Sequence, residues 1–411
     1  MKTEPIVRFI ELPDLSQAVA QLKGVGADPR SWEIMAPKAL FRVVKISAVS
    51  FPAATILKQE MLSLGGEAAV ARGVLTARAK RSDVLLMGTL AQLRALSGKI
   101  AEQPFGLADL SERLVGLLNR DADTIRPPWR CRDQELPVHE RPHIMGVLNI
   151  TPDSFSDGGR YDQLESALVR ARQMAAEGAD IIDVGGESTR PGARPVELKE
   201  ELRRVIPVVE RLCDELSIPV SIDTYKSDVA RRALRAGASI VNDISALRFD
   251  PKMPALIART GAGLVLMHMK GTPRSMQRKP RYDDVVSEIY RFLAEWIDRA
   301  VEAGIAREQL VVDPGIGFGK RLKDNLLLID RLSEFLGLGL PVLVGVSRKS
   351  FIGQILDLPV EDRLEGTAAA LSVAVSRGAA LLRVHDVRQM VRVARMTRAI
   401  SDIQVTPPGA S

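Results

Sequence analysis

The stretch Met145-Gly-Val-Leu-Asn-Ile-Thr-Pro-Asp-Ser-Phe-Ser-Asp-Gly-Gly159 begins as an apolar run and breaks abruptly into polar and turn-forming residues. Val147, Leu148 and Ile150 suit a buried strand, Pro152 removes an amide donor, and Gly158-Gly159 permits backbone angles that other residues resist. The pattern is one strand delivering one loop, with Asn149 where the strand ends. In isolation it reads equally well as an ordinary strand-to-helix turn, so its meaning depends on whether the chain repeats it.

The chain does repeat it. After Pro142, strand-like runs at 144–150, 181–185, 220–223, 240–244, 264–268, 310–313, 342–346 and 381–385 alternate with helical stretches at 164–176, 198–216, 228–236, 254–258, 285–303, 325–336, 363–376 and beyond Val387. Eight alternations over about 260 residues predict an α/β fold of the (β/α)8 TIM-barrel type, spanning 143–400. A doubly wound open sheet is the alternative, because it too buries near-continuous apolar strands on both faces.

Outside the barrel, residues 1–120 mix short strand-like runs (6–10, 39–44, 83–88) with helical spacing at 54–62, which Gly65-Gly66 closes. They are read as a smaller N-terminal α/β accessory domain. Its Lys58, Glu60 and Glu67 suit a solvated helix face better than a site. Residues 121–142, with Pro127-Pro128 and Pro137 and no periodicity, read as a linker, and 401–411 as a C-terminal tail.

The chain has 411 residues, 46% of them apolar, enough for two or three domains with a sizeable core. No run approaches the roughly 20 apolar residues of a membrane span, and the N-terminus lacks a secretory pattern, so a soluble cytoplasmic protein without a membrane partner is expected. Cys131 and Cys213 are too few for a disulfide framework. A net charge of +6 leaves nucleic-acid binding open, but basic and acidic residues are interleaved and only three Trp and four Tyr could stack on bases. Small anionic substrates fit better.

The strand ends carry the chemistry, where a barrel places its active site. They supply Asn149; Asp183, followed by Gly185-Gly-Glu-Ser-Thr-Arg-Pro-Gly192; Asp223; Asn242-Asp243; His268; Asp313-Pro-Gly-Ile-Gly-Phe-Gly-Lys320; Ser347-Arg-Lys-Ser350; and Arg383-Val-His385. Singly, each could be a helix cap or a satisfied core group. Converging on one face, they resist that explanation. Asp223, Asn242, Asp313 and Lys349 make a ring of donors and acceptors suited to the edge of a flat, nitrogen-rich heterocycle. Asn149, Arg190, Arg383 and His385 form a more cationic group suited to phosphate or diphosphate, with Asn149 offering an oxygen to Mg2+. The glycine-rich loop before Lys320 is not a P-loop, because its spacing differs and no Ser or Thr follows the lysine.

With these residues in hand, the chain from about 143 to 400 resembles the dihydropteroate synthases of the pterin-binding barrel family. The likeness rests on residues 145–159 and 186–192, Ser221-Ile-Asp-Thr224, Val241-Asn-Asp243, residues 313–320, Ser347-Arg-Lys-Ser350 and Arg383-Val-His-Asp386. The family condenses 6-hydroxymethyl-7,8-dihydropterin diphosphate with 4-aminobenzoate, assisted by Mg2+. The resemblance implies that Asp223, Asn242, Asp313, Lys349 and Arg383 hold the pterin, and that Asn149, Arg190, Arg383 and His385 hold the diphosphate, with Asn149 near the metal. It further implies that Thr189, Arg190, Pro191, Phe318, Lys349 and Ser350 form the aminobenzoate pocket, with Asp223, Lys349, Arg383 and His385 serving catalysis. A homodimer packed through late barrel helices and sensitivity to sulfonamide-type mimics are implied as well. Phe155 and Asp157 are expected on a mobile loop that reaches the site on closure. The rival reading is a pterin-dependent methyltransferase of the same barrel family, which has no need of an anion pocket or of a second-substrate element at 347–350.

Overall fold

A computed structural model describes residues 5–76, 80–122, 127–150, 160–188, 192–193 and 195–401. The chain divides into two compact units, Met1–Thr124 with Ile403–Ser411, and Ile125–Asp402.

The first unit runs α1 (Leu15–Gly24), α2 (Pro29–Ala39), β1 (Phe41–Ser50), α3 (Phe51–Ser63), β2 (Glu67–Val70), α4 (Arg72–Leu75), β3 (Arg81–Thr89), α5 (Leu90–Ile100) and α6 (Leu107–Ala122). Its strands form an antiparallel sheet ordered β1-β3-β2. In β3 buried and exposed residues alternate, so one face of the strand packs against helices. The core of this unit is Leu57, Met61, Leu86, Leu90, Leu93 and neighbouring side chains. One sequence expectation fails here and one strand went unforeseen. Residues 6–10 form no strand, and Ile6, Val7 and Phe9 are almost fully exposed, since β-propensity without a partner strand forms nothing. The short β2 carried too few residues to show a period.

In the second unit, residues expected to be a linker contain a hairpin of β4 (Trp129–Cys131) and β5 (Gln134–Leu136). Trp129 and Cys131 are buried, and the indole N–H donates to the Gln309 carbonyl at 2.8 Å. The boundary between the two units falls inside the expected linker, at 124/125, but residues 129–136 belong to the second unit's packed structure and not to a connecting segment. Two three-residue strands have no readable periodicity, and their anchoring is tertiary.

The barrel follows: β6 (His143–Asn149), α7 (Arg160–Ala176), β7 (Ile181–Gly185), α8 (Leu198–Glu215), β8 (Val220–Asp223), α9 (Ser227–Arg235), β9 (Ile240–Asp243), α10 (Met253–Thr260), β10 (Gly263–Met267), α11 (Val285–Glu302), β11 (Leu310–Asp313), α12 (Leu322–Asp330), β12 (Leu343–Val344), α13 (Ser350–Leu356), α14 (Leu364–Ser376), β13 (Leu381–Val384) and α15 (Val387–Ser401). The eight strands are ordered β11-β10-β9-β8-β7-β6-β13-β12 and pair in parallel, and a parallel bridge between Val312 and Val342 closes the ring. This is the expected (β/α)8 barrel. The last residue of β6 is Asn149, where the sequence put a strand end; residues 151–159, with Phe155 and Asp157, lie outside the described residues.

Side-chain alternation along the strands sorts this barrel into layers. Outward residues such as Ile182, Ile222, Val241, Leu264 and Val312 join the helices in the largest core. Inward residues near the strand starts, Met145, Ile181, Ile240, Val265, Val311, Leu343 and Leu381, form a separate apolar cluster with Trp129 and Cys131 of the hairpin. Gly263 lets the hairpin approach, because a β-carbon there would lie 2.5 Å from Cys131 Sγ. The bottom of the barrel is thus plugged, and its polar residues gather at the other end.

Candidate active site

Two residues further along the same inward rows, the apolar layer gives way to polar side chains. Ile181 leads to Asp183, Ile240 to Asn242, Val311 to Asp313 and Leu381 to Arg383, and the buried polar Ser221 leads to Asp223 in the same register. A step of two preserves the side-chain face, so these groups share the barrel interior at the C-terminal ends of the strands. Asp183, Asp223, Asn242 and Asp313 are all buried.

Arg383 organises this layer. Its Nε donates to Asp183 Oδ2 at 2.6 Å and its Nη2 to Asp223 Oδ2 at 2.7 Å, while Asn242 Nδ2 donates to the same Asp183 oxygen at 3.0 Å. Burial works against the guanidinium charge, but Asp183 and Asp223 outweigh it and raise its pKa. Burial also drives Asp223 up to about 7, with Asp183 adding to the rise and Arg383 opposing it. Asp313 is raised for the same first reason, opposed by Lys349 and by the Gly315 N–H that its Oδ1 accepts at 2.6 Å. Asp183 Oδ1 and Ser221 Oγ are buried without a hydrogen-bond partner among the described residues. Unsatisfied buried polar atoms are costly, and a ligand carrying N–H groups would satisfy them.

Lys349 completes the ring from the seventh strand's loop. Its ammonium donates to the Ile316 carbonyl and stands 4.6 Å from the centre of the Phe318 ring. Burial lowers its pKa to about 8 against the attraction of Asp313. The backbone turn presenting it is left-handed at Arg348 (φ 56°), whose N–H donates to Thr367 Oγ1 at 3.0 Å and whose guanidinium grips Asp386. That grip joins the seventh and eighth loops, and Ser347 Oγ meets His385 Nδ1 at 3.0 Å between them. Ser350 is exposed and opens α13.

Asn149 belongs to the same mouth. A β-carbon on Gly185 would lie 3.4 Å from Asn149 Oδ1 and 3.7 Å from Asp223 Oδ2, so the missing side chain at 185 leaves both groups beside one open space. On the far side, Ile244, Met267, Met269 and Met276, with Tyr225, Phe249 and Phe318 against them, make an apolar wall.

The structure therefore brings together Asn149, Asp223, Asn242, Asp313, Lys349 and Arg383, with Phe318 against Lys349 and His385 held by Ser347. Thr189, Arg190 and Pro191 lie outside the described residues. Sequence reasoning named Asp183 as a strand end but gave it no role; counting two residues beyond each inward apolar position would have found it as the partner of Arg383. It also treated Lys320 only as a failed P-loop lysine, whereas that side chain is buried.

Comparison with known proteins agrees with this geometry. Residues 145–385 match the family model described as pterin binding enzyme. The chain is 47% identical over 277 residues to the dihydropteroate synthase of Bacillus subtilis, an alignment covering 65% of this chain and 95% of that protein. The Xanthomonas albilineans dihydropteroate synthase solved with 4-aminobenzoic acid is 46% identical with a TM-score of 0.64, covering 67% of this chain and 100% of that one. The same bacterium's enzyme in complex with 7,8-dihydropteroate is 43% identical with a TM-score of 0.61, covering 67% of this chain and 100% of that one.

Proposed function

The chain belongs to the pterin-binding enzyme family, and from that premise we propose how it works as a dihydropteroate synthase, a transferase joining 6-hydroxymethyl-7,8-dihydropterin diphosphate to 4-aminobenzoate. The observation that carries the assignment of roles is the buried layer in which Arg383 spans Asp183 and Asp223 while Asn242, Asp313 and Lys349 complete the ring. Asp223, Asn242, Asp313 and Lys349 hold the pterin edge, and the unpartnered Asp183 Oδ1 supports a further contact with a ring N–H. Arg383 covers the ring, and with His385, Arg190 and Asn149 it takes the diphosphate. Phe318, Lys349 and Ser350 bound the aminobenzoate pocket, with Thr189 and Pro191 contributed by the second loop.

Mg2+ fits the donor set. Asn149 offers one amide oxygen beside Asp223, and no cluster of three carboxylate, histidine or cysteine ligands occurs among the described residues. Such a site suits an ion held chiefly by the substrate's phosphates and water. When bound, Mg2+ would neutralise charge on the diphosphate.

In the reaction the bond from the pterin's exocyclic methylene to oxygen breaks, and diphosphate leaves with the electron pair. The amine nitrogen of 4-aminobenzoate forms the new bond and then loses a proton to solvent. Arg383 and His385 stabilise the leaving group, and ionised Asp223 stabilises the positive charge spread over the pterin in a loose transition state. The aryl amine is neutral at physiological pH and needs no strong base. Neither cysteine is given a role: Cys131 packs in the apolar layer at the barrel floor, and burial raises the pKa of both thiols.

A homodimer through the late helices is supported by exposed Leu326, Ile355, Leu356, Val360 and Val373 on α12, α13, α14 and the turn between them. A cytoplasmic location is supported by the unpaired cysteines. The test of function is direct: purified protein, Mg2+, dihydropterin diphosphate and 4-aminobenzoate should yield dihydropteroate and diphosphate in equal amounts. Diphosphate release without dihydropteroate, or no turnover, refutes it. Competition by a sulfonamide against 4-aminobenzoate checks the second pocket.

A further inference from the structure

Lys320 is a buried lysine that the reaction does not use. Its ammonium has three donors, and three acceptors meet them: His268 Nδ1 at 3.0 Å, the Phe318 carbonyl at 3.0 Å and the His268 carbonyl at 3.4 Å. Burial lowers the pKa of both Lys320 and His268 well below their usual values, so this arrangement is held at an electrostatic cost. No ion pair to Lys320 occurs among the described residues. His268 packs in turn against Phe292 in a T-shaped contact, with ring centroids 4.8 Å apart.

What the lysine holds is the turn after β11. Four successive carbonyls of that turn are each taken by a different side chain: Ile316 by Lys349, Gly317 by Gln277, Phe318 by Lys320 and Gly319 by Tyr282. Asn325 Oδ1 accepts the Gly317 N–H at 2.7 Å. The turn also lies directly on the chain after β10, since a β-carbon on Gly315 would fall 1.9 Å from the His268 carbonyl oxygen and one on Gly319 2.6 Å from that of Lys270. Both glycines have left-handed backbones. A loop pinned carbonyl by carbonyl has little freedom, and its central side chain is Phe318.

We propose that Lys320, braced by His268, is a positioning residue for 4-aminobenzoate: it staples the 315–320 turn to the end of β10 and thereby fixes Phe318 as the wall of the aminobenzoate pocket. The proposal rests on the Phe318 reading given above. It predicts a loss in binding of one substrate and not in the chemistry of both.

The experiment compares steady-state kinetics of Lys320→Met, Phe318→Leu and the double variant, varying each substrate in turn. Lys320→Met removes the three donors while keeping most of the side-chain volume. Losing these buried hydrogen bonds predicts about a tenfold rise in KM for 4-aminobenzoate, with kcat within about threefold and KM for dihydropterin diphosphate within about twofold. Because Lys320 acts through Phe318, the double variant should be within about twofold of the worse single variant. An unchanged KM in Lys320→Met, or effects that multiply in the double variant, overturns the proposal. If Phe318→Leu itself leaves KM unchanged, the Phe318 reading falls and this one with it; if Phe318→Leu raises KM and Lys320→Met does not, only the Lys320 role falls. Should Lys320→Met fail to fold, Tyr282→Phe deletes the single hydroxyl on the Gly319 carbonyl and should raise the same KM about threefold; an unaltered KM there overturns the proposal.

Discussion

At the scale of single residues, the site is a set of charges held where water would not leave them. Asp223 is pushed up to about 7 and Lys349 down to about 8, each chiefly by burial. The proposed roles need both charged forms, the carboxylate to accept the pterin's N–H groups and the ammonium to donate to its acceptors. The kcat/KM for dihydropterin diphosphate, which reports ionisations of the free enzyme, should rise with pH as Asp223 ionises near 7 and fall as Lys349 deprotonates near 8. A profile flat through both values would contradict these roles. The same burial has a sign for stability. Because the folded protein holds the Asp223 proton more tightly than the usual value of 3.8 allows, the ionisation penalty is absent below 3.8 and complete above about 7. Unliganded Asp223→Asn should therefore gain thermal stability relative to the parent as pH rises through that window, by on the order of 4 kcal/mol, while losing about a hundredfold in turnover. Equal melting shifts at pH 4 and pH 8, about either end of the window, would refute it. Site chemistry and fold stability pull in opposite directions at this position.

At the scale of elements, legibility followed how local the cause was. The barrel strands were readable because parallel strands buried on two faces are near-continuous apolar runs, and β6, β7, β8 and β11 start and stop within a residue or so of those runs. Only two residues of the expected 342–346 strand form β12, and the chain turns soon after it, with Arg348 in the left-handed region. The ends of the strands were legible as polar positions, but the pairing of Asp183 with Arg383 joins residues 200 apart and follows from barrel closure. Lys320 was given no role because its spacing ruled out a P-loop and nothing local marks it as buried; two acceptors on His268, 52 residues away, and one in its own turn hold it inside. The β4–β5 hairpin was illegible for a similar reason, its whole stabilisation being contact with the barrel floor. That gives it a test. Trp129→Ala removes a buried indole and its hydrogen bond to Gln309, and should cost about 3–5 kcal/mol of unfolding free energy. Because Trp129 packs in the apolar layer two residues before the polar one, KM for both substrates should stay unchanged at temperatures where the variant is folded. A denaturation midpoint equal to the parent's would show that the hairpin does not seal the barrel.

At the scale of the whole chain, two units each carry a core of their own. The buried cluster of the first runs from Ala18 to Leu118, and those of the second lie between Trp129 and Ala394. The residues gathered into the site all come from the second unit, and the family match at 145–385 falls wholly inside it. The Bacillus subtilis relative aligns along 95% of its own length while using 65% of this chain, so a protein with little beyond the barrel has a counterpart for the catalytic part. A chain of residues 125–402 keeps the hairpin that plugs the barrel floor, whereas one cut at 143 would lose Trp129 and Cys131 and expose the layer they cover. The longer fragment should fold cooperatively and keep kcat/KM for both substrates within about threefold, and the shorter one should be destabilised by more than Trp129→Ala alone. If dimerisation uses the apolar residues exposed on α12, α13 and α14, sedimentation should find the 125–402 fragment dimeric, because those helices remain. An active monomer would separate assembly from catalysis and assign assembly to the first unit. A well-folded 125–402 fragment without turnover would mean that the first unit completes the active site, and would overturn the view of the barrel as a self-sufficient enzyme.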